Sequence, residues 1–550
     1  MPEHIERPPN WTPEERPTMP GSAASLAHRP AIRLAYALVG LLVGLTGALG
    51  NAMVSANLPN IQGHLGLTPT QGAWLPAAYV MVNVSVNLIM IKIRQQYGLR
   101  RFAELGLTVY LLAIIAHVFV DTFAMAVTVR ALSGLAGAVC STLGVLYMLQ
   151  AFPKASLIKG LILGLGISQL ATPIAWQLSP ALLDLGQWHR LYVFDAGLAM
   201  CALAAVVVLK LPVSERIRVL EPLDFLTFVL VALGLAAIVA VLAQGRIQWW
   251  LDQPWLGWVL AAAVVLLITA WGIEHFRQRP LLQTRWLGTA DIIRFAIGAF
   301  LLRLLTAEQT FGAVGLQQTL GMAADQLQPL YGVMLLGLIT GIALSALTAG
   351  PKTLIPQILL AIMLMGFSAW LDKDSTSLTR PHDLYLSQTL LSIASGMFLG
   401  PLLMVGIGSA LAKGPNYLVS FVVLFSMMQN LGGLSGSALF GTLQIYREHY
   451  HSTLINAEID PTNPVVANRL QLQSQVYAGQ IEDPVLRQAQ GTAQLAQTAT
   501  REANVRAYNN VFTAIGVLAA LLFSWSLFHL VRNSLNARRR SRAAAASSRP

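Results

Sequence analysis

The chain has 550 residues, 55% of them hydrophobic and 11% charged, with a mean hydropathy of +0.59. A soluble globular protein carries about 25% charged residues, so charge is too sparse here to coat a water-facing surface, and a soluble fold is excluded. The net charge of +11 fits the Lys and Arg excess of cytoplasmic loops in membrane proteins. Nucleic-acid binding would need a basic cluster on a soluble domain. The one cluster present, Arg538, Arg539, Arg540 and Arg542, reads as well as a cytoplasmic anchor.

Residues 1–33 are polar and Pro-rich, with Pro8, Pro9, Pro13, Pro17, Pro20 and Pro30. No apolar core follows a basic start, so they read as a disordered cytoplasmic tail, not a signal peptide. A membrane-spanning helix takes about 20 apolar residues, and about fourteen such segments follow. They begin near Leu34, Trp74, Phe102, Thr122, Leu157, Leu191 and Leu223, then near Trp255, Ile292, Leu330, Leu354, Leu384, Tyr417 and Tyr508. Cys140 and Cys201 both lie inside apolar runs, so no disulfide framework or zinc site is expected.

Basic residues alternate between loops. Lys92, Arg94, Arg100 and Arg101 follow the second span, Lys154 and Lys159 the fourth, and Lys210, Arg216 and Arg218 the sixth. Arg277, Arg279 and Arg285 follow the eighth, Lys352 the tenth and Lys413 the twelfth. Arg190, Arg246, Lys373 and Arg380 are the exceptions. Loops of one parity are basic, which places both termini in the cytoplasm, as an even number of spans also requires. The segment 446–506, rich in Gln, Ala and Asn, then lies outside the cytoplasm. Its scattered Leu470, Leu472, Val476 and Leu486 allow short amphipathic helices or a solvated linker.

Ionisable groups inside a span are costly and mark functional candidates. The ninth span carries Arg294, Arg303 and Glu308. Arg303 lies roughly 18 Å of helical rise beyond Asp291, about mid-membrane, and Glu308 is turned about 140° from it. Each therefore needs a partner on another helix, a ligand or water. Arg130 sits in the fourth span, four residues before Gly134, where it can hold a nearby carboxylate ionised or release it. Asp195 and Arg190 stand at the start of the sixth span. Glu274 and His275 end the eighth and read as interfacial. Gly160, Gly164 and Ser168, and later Gly432, Gly433 and Gly436, form small-residue stripes that let helices approach closely. Trp249, Trp250, Trp255 and Trp258 read as an interfacial belt. No H-E-x-x-H, Walker A or G-x-S-x-G motif stands in a foldable loop. No enzyme activity, metal or cofactor is expected, and active transport would draw on an ion gradient, with protons the best fit.

Taken together these residues resemble the fourteen-span drug:proton antiporters of the major facilitator superfamily, of the EmrB type. Leu58-Pro59-Asn60-Ile61-Gln62 with Trp74 and Tyr79 is similar to that family's first outer segment and second span. Arg130-Ala-Leu-Ser-Gly134 resembles its fourth-span R-x-x-x-G motif, and Trp188-His-Arg190 with Asp195 its turn into the sixth span. Glu274 with Arg279-Pro280-Leu281-Leu282 resembles its eighth-to-ninth loop. Asn430-Leu431-Gly432-Gly433, then Gly436 and Gly441-Thr442, resembles its thirteenth span, and Ala507-Tyr508-Asn509 the approach to its last. Three departures stand out. Gly50, beside Asn51, occupies the place of a frequent first-span Asp. The second-to-third gating loop, usually G-x-L-x-D-R-x-G-R-R, has Ile91 and Gln95 for Gly and Asp but keeps Gly98, Arg100 and Arg101. The fifth-span antiporter motif has Thr172-Pro173.

The resemblance implies an all-α polytopic fold: a six-helix bundle at 34–212, two linker helices at 213–286, and a second six-helix bundle at 287–532. The last contains the long periplasmic loop at 446–506, and a basic cytoplasmic tail follows at 533–550. The implied activity is proton-driven efflux of amphipathic drugs across the bacterial inner membrane, with a periplasmic adaptor and an outer-membrane channel as partners. With Gly50 lacking a carboxylate, proton coupling moves to Glu308 and Asp195, while Arg130, Arg303 and Asn51 supply the cavity charge relay. Gly134, Pro173, Asn430, Gly432 and Gly433 are packing positions. A gradient-driven porter of one metabolite is the rival function, and a transport-inactive sensor or scaffold the rival of another class. Mid-membrane Glu308 and Arg303 argue against a scaffold.

Overall fold

Prolines and short polar caps set where the helices begin. Pro30, Pro69, Pro222, Pro254 and Pro464 each fall in the first two positions of a helix, where the missing N–H would have had no partner. Thr68 closes a capping box: its Oγ1 accepts from the Gln71 amide at 3.2 Å, and Gln71 Oε1 accepts from the Thr68 amide at 3.0 Å. Gly98, at φ 88°, takes the positive φ that separates two consecutive helices without a side-chain clash.

The computed structural model describes residues 5, 10–12, 15–17, 21–183, 189–460 and 462–547, with the backbone alone at 183, 189, 415 and 537–547. Helices α1 (Pro30–Ala56), α2 (Leu58–Leu65), α3 (Pro69–Tyr97), α4 (Leu99–His117) and α5 (Phe123–Gln150) come first. They are followed by α6 (Leu157–Gln169), α7 (Ala171–Leu183), α8 (His189–Val208), α9 (Pro222–Gly245) and α10 (Pro254–Phe276). A short α11 (Thr284–Leu287) leads to α12 (Ala290–Leu305), a π-helical turn (Glu308–Ala313), α13 (Val314–Thr319), α14 (Ala324–Leu347) and α15 (Leu354–Asp372). The chain closes with α16 (Tyr385–Leu411), α17 (Pro415–Glu458), α18 (Pro464–Gln475) and α19 (Pro484–Ser547). Among the described residues twelve helical segments are long and apolar enough to cross a membrane, and there is no β-sheet. Two further expected spans are helical but differ in kind. α4 carries Arg100, Arg101 and Glu104 in its first turns, and the ninth segment is interrupted by the π-turn. α6 and α7 form one span broken at Leu170, because Pro173 has no N–H to give the Gln169 carbonyl.

The chain forms two compact units. The first comprises Met1–Leu304, Tyr331–Ile362 and Ser392–Ser435; the second comprises Leu305–Leu330, Met363–Leu391 and Gly436–Pro550. In the first, α5 is the central helix and packs along α1, α3, α4 and α6. The linker helices pack on each other and on α3, through Val84, Leu88, Val231, Leu235 and Ala270 with Leu281 and Val423.

The charged ends of those helices are tied together. Lys92 Nζ lies 2.8 Å from Asp224, and Arg277 reaches Asp224 and Glu221 at 2.9 Å and Glu274 at 2.7 Å. Glu274, expected at the interface, is instead buried; it accepts from Thr227 Oγ1 at 2.7 Å and from the backbone amides of Leu281 and Leu282. Three carboxylates and two cations satisfy one another here, which is what makes burying them tolerable.

The terminal tail, expected to be disordered, is docked where it is described. Ser22, Ala23 and Ala24 are buried. The Ala24 amide donates to the Val213 carbonyl at 3.2 Å, and Gln150 Nε2 donates to the Ala24 carbonyl at 3.1 Å. Small side chains lose little rotamer freedom on docking, so a polar segment can be held mainly by its backbone.

In the second unit the expected loop at 446–506 is helical over most of its length. α17 runs on to Glu458 and α19 starts at Pro484, and the two are joined by Gln444 to Asn504 at 2.7 Å and Arg447 to Asn510 at 2.7 Å. α18 lies on α19, with Gly491 against Ser474. Leu316, Leu320, Val505, Tyr508 and Phe512 form this unit's apolar core.

Candidate functional site

Arg130 is 2% exposed and sits in the middle of the first unit. Gly134 stands one turn later on α5. A methyl group there would overlap the Tyr79 carbonyl of α3, so the glycine admits α3 closely enough for the Tyr79 ring to lie 5.0 Å from the Arg130 guanidinium. Arg130 Nη2 donates to Asn51 Oδ1, Nη1 to the Gly50 carbonyl at 3.4 Å and Nε to the Leu75 carbonyl at 3.3 Å. His117, which stacks on Tyr192 at 4.6 Å, and apolar Val54, Ile61 and Leu75 border a small gap beside it.

Gly50 is the meeting point of α1, α4 and α8. A Cβ there would stand 2.5 Å from the Tyr110 hydroxyl and 2.6 Å from Asp195 Oδ2. The space a side chain at 50 would fill is taken by the Tyr110 hydroxyl and the carboxylate of Asp195. That residue is 2% exposed, although it stands near the start of its span. Its Oδ1 is buried without a hydrogen-bond partner. The Tyr110 hydroxyl donates to the Thr46 carbonyl at 2.8 Å. Asp195 and Arg130 thus border one residue, Gly50, one through its Cα and the other through its carbonyl.

Glu308, in the second unit, is fully buried. It opens the π-turn, a helix defect found frequently at functional sites. Gln388 Nε2, from α16, donates to Glu308 Oε1 at 3.0 Å and to Asp372 Oδ2, at the end of α15, also at 3.0 Å. Asp372 is 3% exposed. Lys373, next in the chain, turns away to Asp374 at 3.1 Å and to the Trp370 ring at 5.3 Å.

The remaining expected residues fall elsewhere. Arg303 lies over the small-residue stripe of α17: a Cβ on Gly432 would come 2.9 Å from Arg303 Cβ, and one on Gly433 would come 3.3 Å from its Nε. Asn430 Nδ2 donates within its own helix to the Ser426 carbonyl at 3.0 Å. Gly160 and Gly164 pack α6 on Met148 and Val145 of α5. Arg100 Nε donates to the Leu211 carbonyl at 3.0 Å, while Arg101 is exposed. Trp188 and the side chains of His189, Arg538, Arg539, Arg540 and Arg542 lie outside the described residues.

Sequence reasoning missed Asp372, Gln388, Tyr110 and the Lys92–Asp224 pair. Gln388 carried a signal, a polar side chain inside an apolar run. Asp372 carried almost none, because Lys373 and Asp374 make it look like part of a loop.

A model of the Major Facilitator Superfamily matches residues 40–437. The multidrug export protein EmrB of Haemophilus influenzae is 22% identical over 499 residues, 87% of this chain and 92% of that protein. The puromycin resistance protein pur8 of Streptomyces alboniger is 27% identical over 75% of this chain and 82% of its own length. The uncharacterized transporter YebQ of Escherichia coli is 24% identical over 50% of this chain and 58% of its own length. Among solved structures, the human organic anion transporter MFSD10 superposes with a TM-score of 0.55 at 14% identity, covering 88% of this chain and 99% of that one. The proton:xylose symporter XylE superposes with 0.54 at 13% identity, covering 90% and 96%. The family and these neighbours are transporters, not enzymes. The chain belongs to the major facilitator superfamily, as a multi-pass membrane transporter similar over most of its length to a multidrug exporter of the EmrB type.

Proposed function

We propose that this protein exports amphipathic toxic compounds in exchange for protons, by alternating access across a bacterial inner membrane, with both termini in the cytoplasm. The observation that carries the reading is the Asp195 carboxylate, buried against Gly50 beside Arg130. A proton-coupled carrier needs a carboxylate whose charge is sensitive to its surroundings, and Arg130 supplies a fixed positive charge next to it. The place of a first-span carboxylate is thus filled from α8: Gly50 gives up a side chain and Asp195 occupies the space. Glu308 is a second buried carboxylate able to carry a proton. The printed names of relatives, multidrug export protein and puromycin resistance protein, support amphipathic drugs as the substrate class.

Residues 34–212 and 287–532 act in this reading as the two halves of the carrier, with 213–286 as linker helices. The extended hairpin of α17 to α19 supports a periplasmic adaptor and an outer-membrane channel as partners. α17 has 44 residues, about 66 Å at 1.5 Å each, twice the roughly 30 Å hydrocarbon core. Its far end and the following segment expose Tyr446, Tyr450, Leu472 and Val476.

The test is ethidium accumulation in cells with and without the protein, before and after an uncoupler. The reading expects low accumulation that rises to the control level when the uncoupler is added. Accumulation above the control would identify an importer, and equal accumulation under all conditions would remove export of this class.

A further inference from the structure

We infer that Glu308 and Asp372 form one carboxyl pair that shares a single proton under the clamp of Gln388, so that the pair, not Glu308 alone, is the titrating unit of the second unit. The inference rests on the proton-coupled reading above but concerns a residue, Asp372, that no sequence signal marked.

Gln388 Nε2 has two protons, and it gives one to each acid, both at 3.0 Å. That leaves Glu308 Oε2 buried with no donor. The Asp372 carboxyl is the neighbouring acid, since one amide nitrogen reaches both. Two ionised carboxylates are acceptors only, so that contact becomes a hydrogen bond when one proton is added between them. An unfilled buried acceptor and a facing acceptor therefore define a place for a proton.

The surroundings support the same conclusion. Asp372 and Gln388 are the groups that act on Glu308. Beyond Gln388, α16 presents Ser387 to Asp372. From the π-turn and α19, Gly312 and Phe512 close the apolar side. Lys373 is engaged with Asp374 and Trp370. Like charges this close in an apolar surround cannot both ionise cheaply.

The pair lies close in sequence to an exposed turn. Asp372 is the last residue of α15, and its carbonyl accepts from Ser375 Oγ at 2.8 Å. Asp374, two residues on, has an 82% exposed side chain. Asp372 is the acid of the pair nearer in sequence to that turn. In the step proposed, a proton moves from water to the pair and later returns to water. No bond other than O–H forms or breaks.

Infrared difference spectroscopy of the purified full-length protein across pH, with ¹³C-labelled Asp or Glu, reads this directly and needs no substrate. Apart from any Asp-only band of Asp195, which Asp195→Asn identifies, wild type should show one protonated-carboxyl band sensitive to both labels that disappears over a single pH step. Glu308→Gln and Asp372→Asn should each remove that band or move its midpoint by about one pH unit or more, the size expected for strongly coupled sites. Gln388→Leu, which keeps both acids, should also move it, and circular dichroism checks that each variant is folded. A band that responds to the Glu label alone and is unchanged in Asp372→Asn and Gln388→Leu would overturn the pairing. Because the band is read without transport, its loss as evidence leaves the efflux reading to the dye assay, and a failed dye assay leaves the pair standing.

Discussion

Replacing Gly50 by Ala puts a methyl group where two oxygens already lie. The added carbon would stand 2.5 Å from the Tyr110 hydroxyl and 2.6 Å from Asp195 Oδ2, against about 3.5 Å for ordinary non-bonded contact. Both must therefore retreat by close to 1 Å, or α1 must shift. Overpacking of this kind costs about 1–3 kcal/mol. If Tyr110 moves, its 2.8 Å bond to the Thr46 carbonyl is lost as well, worth roughly 1 kcal/mol. If Asp195 moves, the carboxylate leaves the position it shares with Arg130. We expect a lower melting temperature in detergent and an efflux rate in reconstituted vesicles reduced about 5- to 150-fold, the factor that 1–3 kcal/mol gives. Tyr110→Phe removes the nearer oxygen, so Gly50→Ala should cost less in that background, with a coupling of about 1 kcal/mol or more in the double-mutant cycle. Wild-type stability and rate in Gly50→Ala, or strictly additive effects with Tyr110→Phe, would refute the claim that Tyr110 and Asp195 together fill the space at Gly50.

Three further outcomes follow from the geometry. Arg130→Ala, which deletes the bonds to Asn51, Gly50 and Leu75, should insert normally yet lose about 100-fold or more in transport, as removal of two or more charged hydrogen bonds implies; Arg130→Lys should recover only part, since Lys lacks the planar fork. Asp224→Asn leaves Lys92 and part of Arg277 without their buried counter-charge, and should lower stability by about 3–5 kcal/mol in denaturation measurements; an unchanged midpoint would show that the network is idle. Deleting residues 470–487 should abolish efflux in whole cells but spare transport in vesicles if α18 and the start of α19 dock an adaptor, whereas equal loss in both settings would assign them a folding role.

The membrane fold was legible because apolar run length is a strong signal and depends on no distant contact. Arg130 and Gly134 were legible as a pair because they share one helix face, and Tyr79 approaches closely where Gly134 has no side chain. Gly50 was legible only as an absence. What fills it comes from α8, far along the chain, and only folding brings Asp195 there. Glu274 read as interfacial because it ends an apolar run beside His275. Its burial depends on Arg277 and on two backbone amides of the following loop, and no local pattern announces such a set. The same holds for Asp372, whose neighbours Lys373 and Asp374 are solvated loop residues in composition. The helical course of 446–506 was hidden because its polar Gln- and Ala-rich sequence carries little periodicity, and it is the continuation of two spans that orders it.

Proton movement measured in vesicles containing the purified protein tests the central claim most directly. With an acidic lumen and ethidium added outside, the account predicts that dye accumulates while the lumen turns alkaline. Collapsing the gradient should stop both, and Asp195→Asn should show neither. Dye uptake at the same rate with no gradient, or an unmoving lumenal pH during uptake, would contradict proton coupling through Asp195.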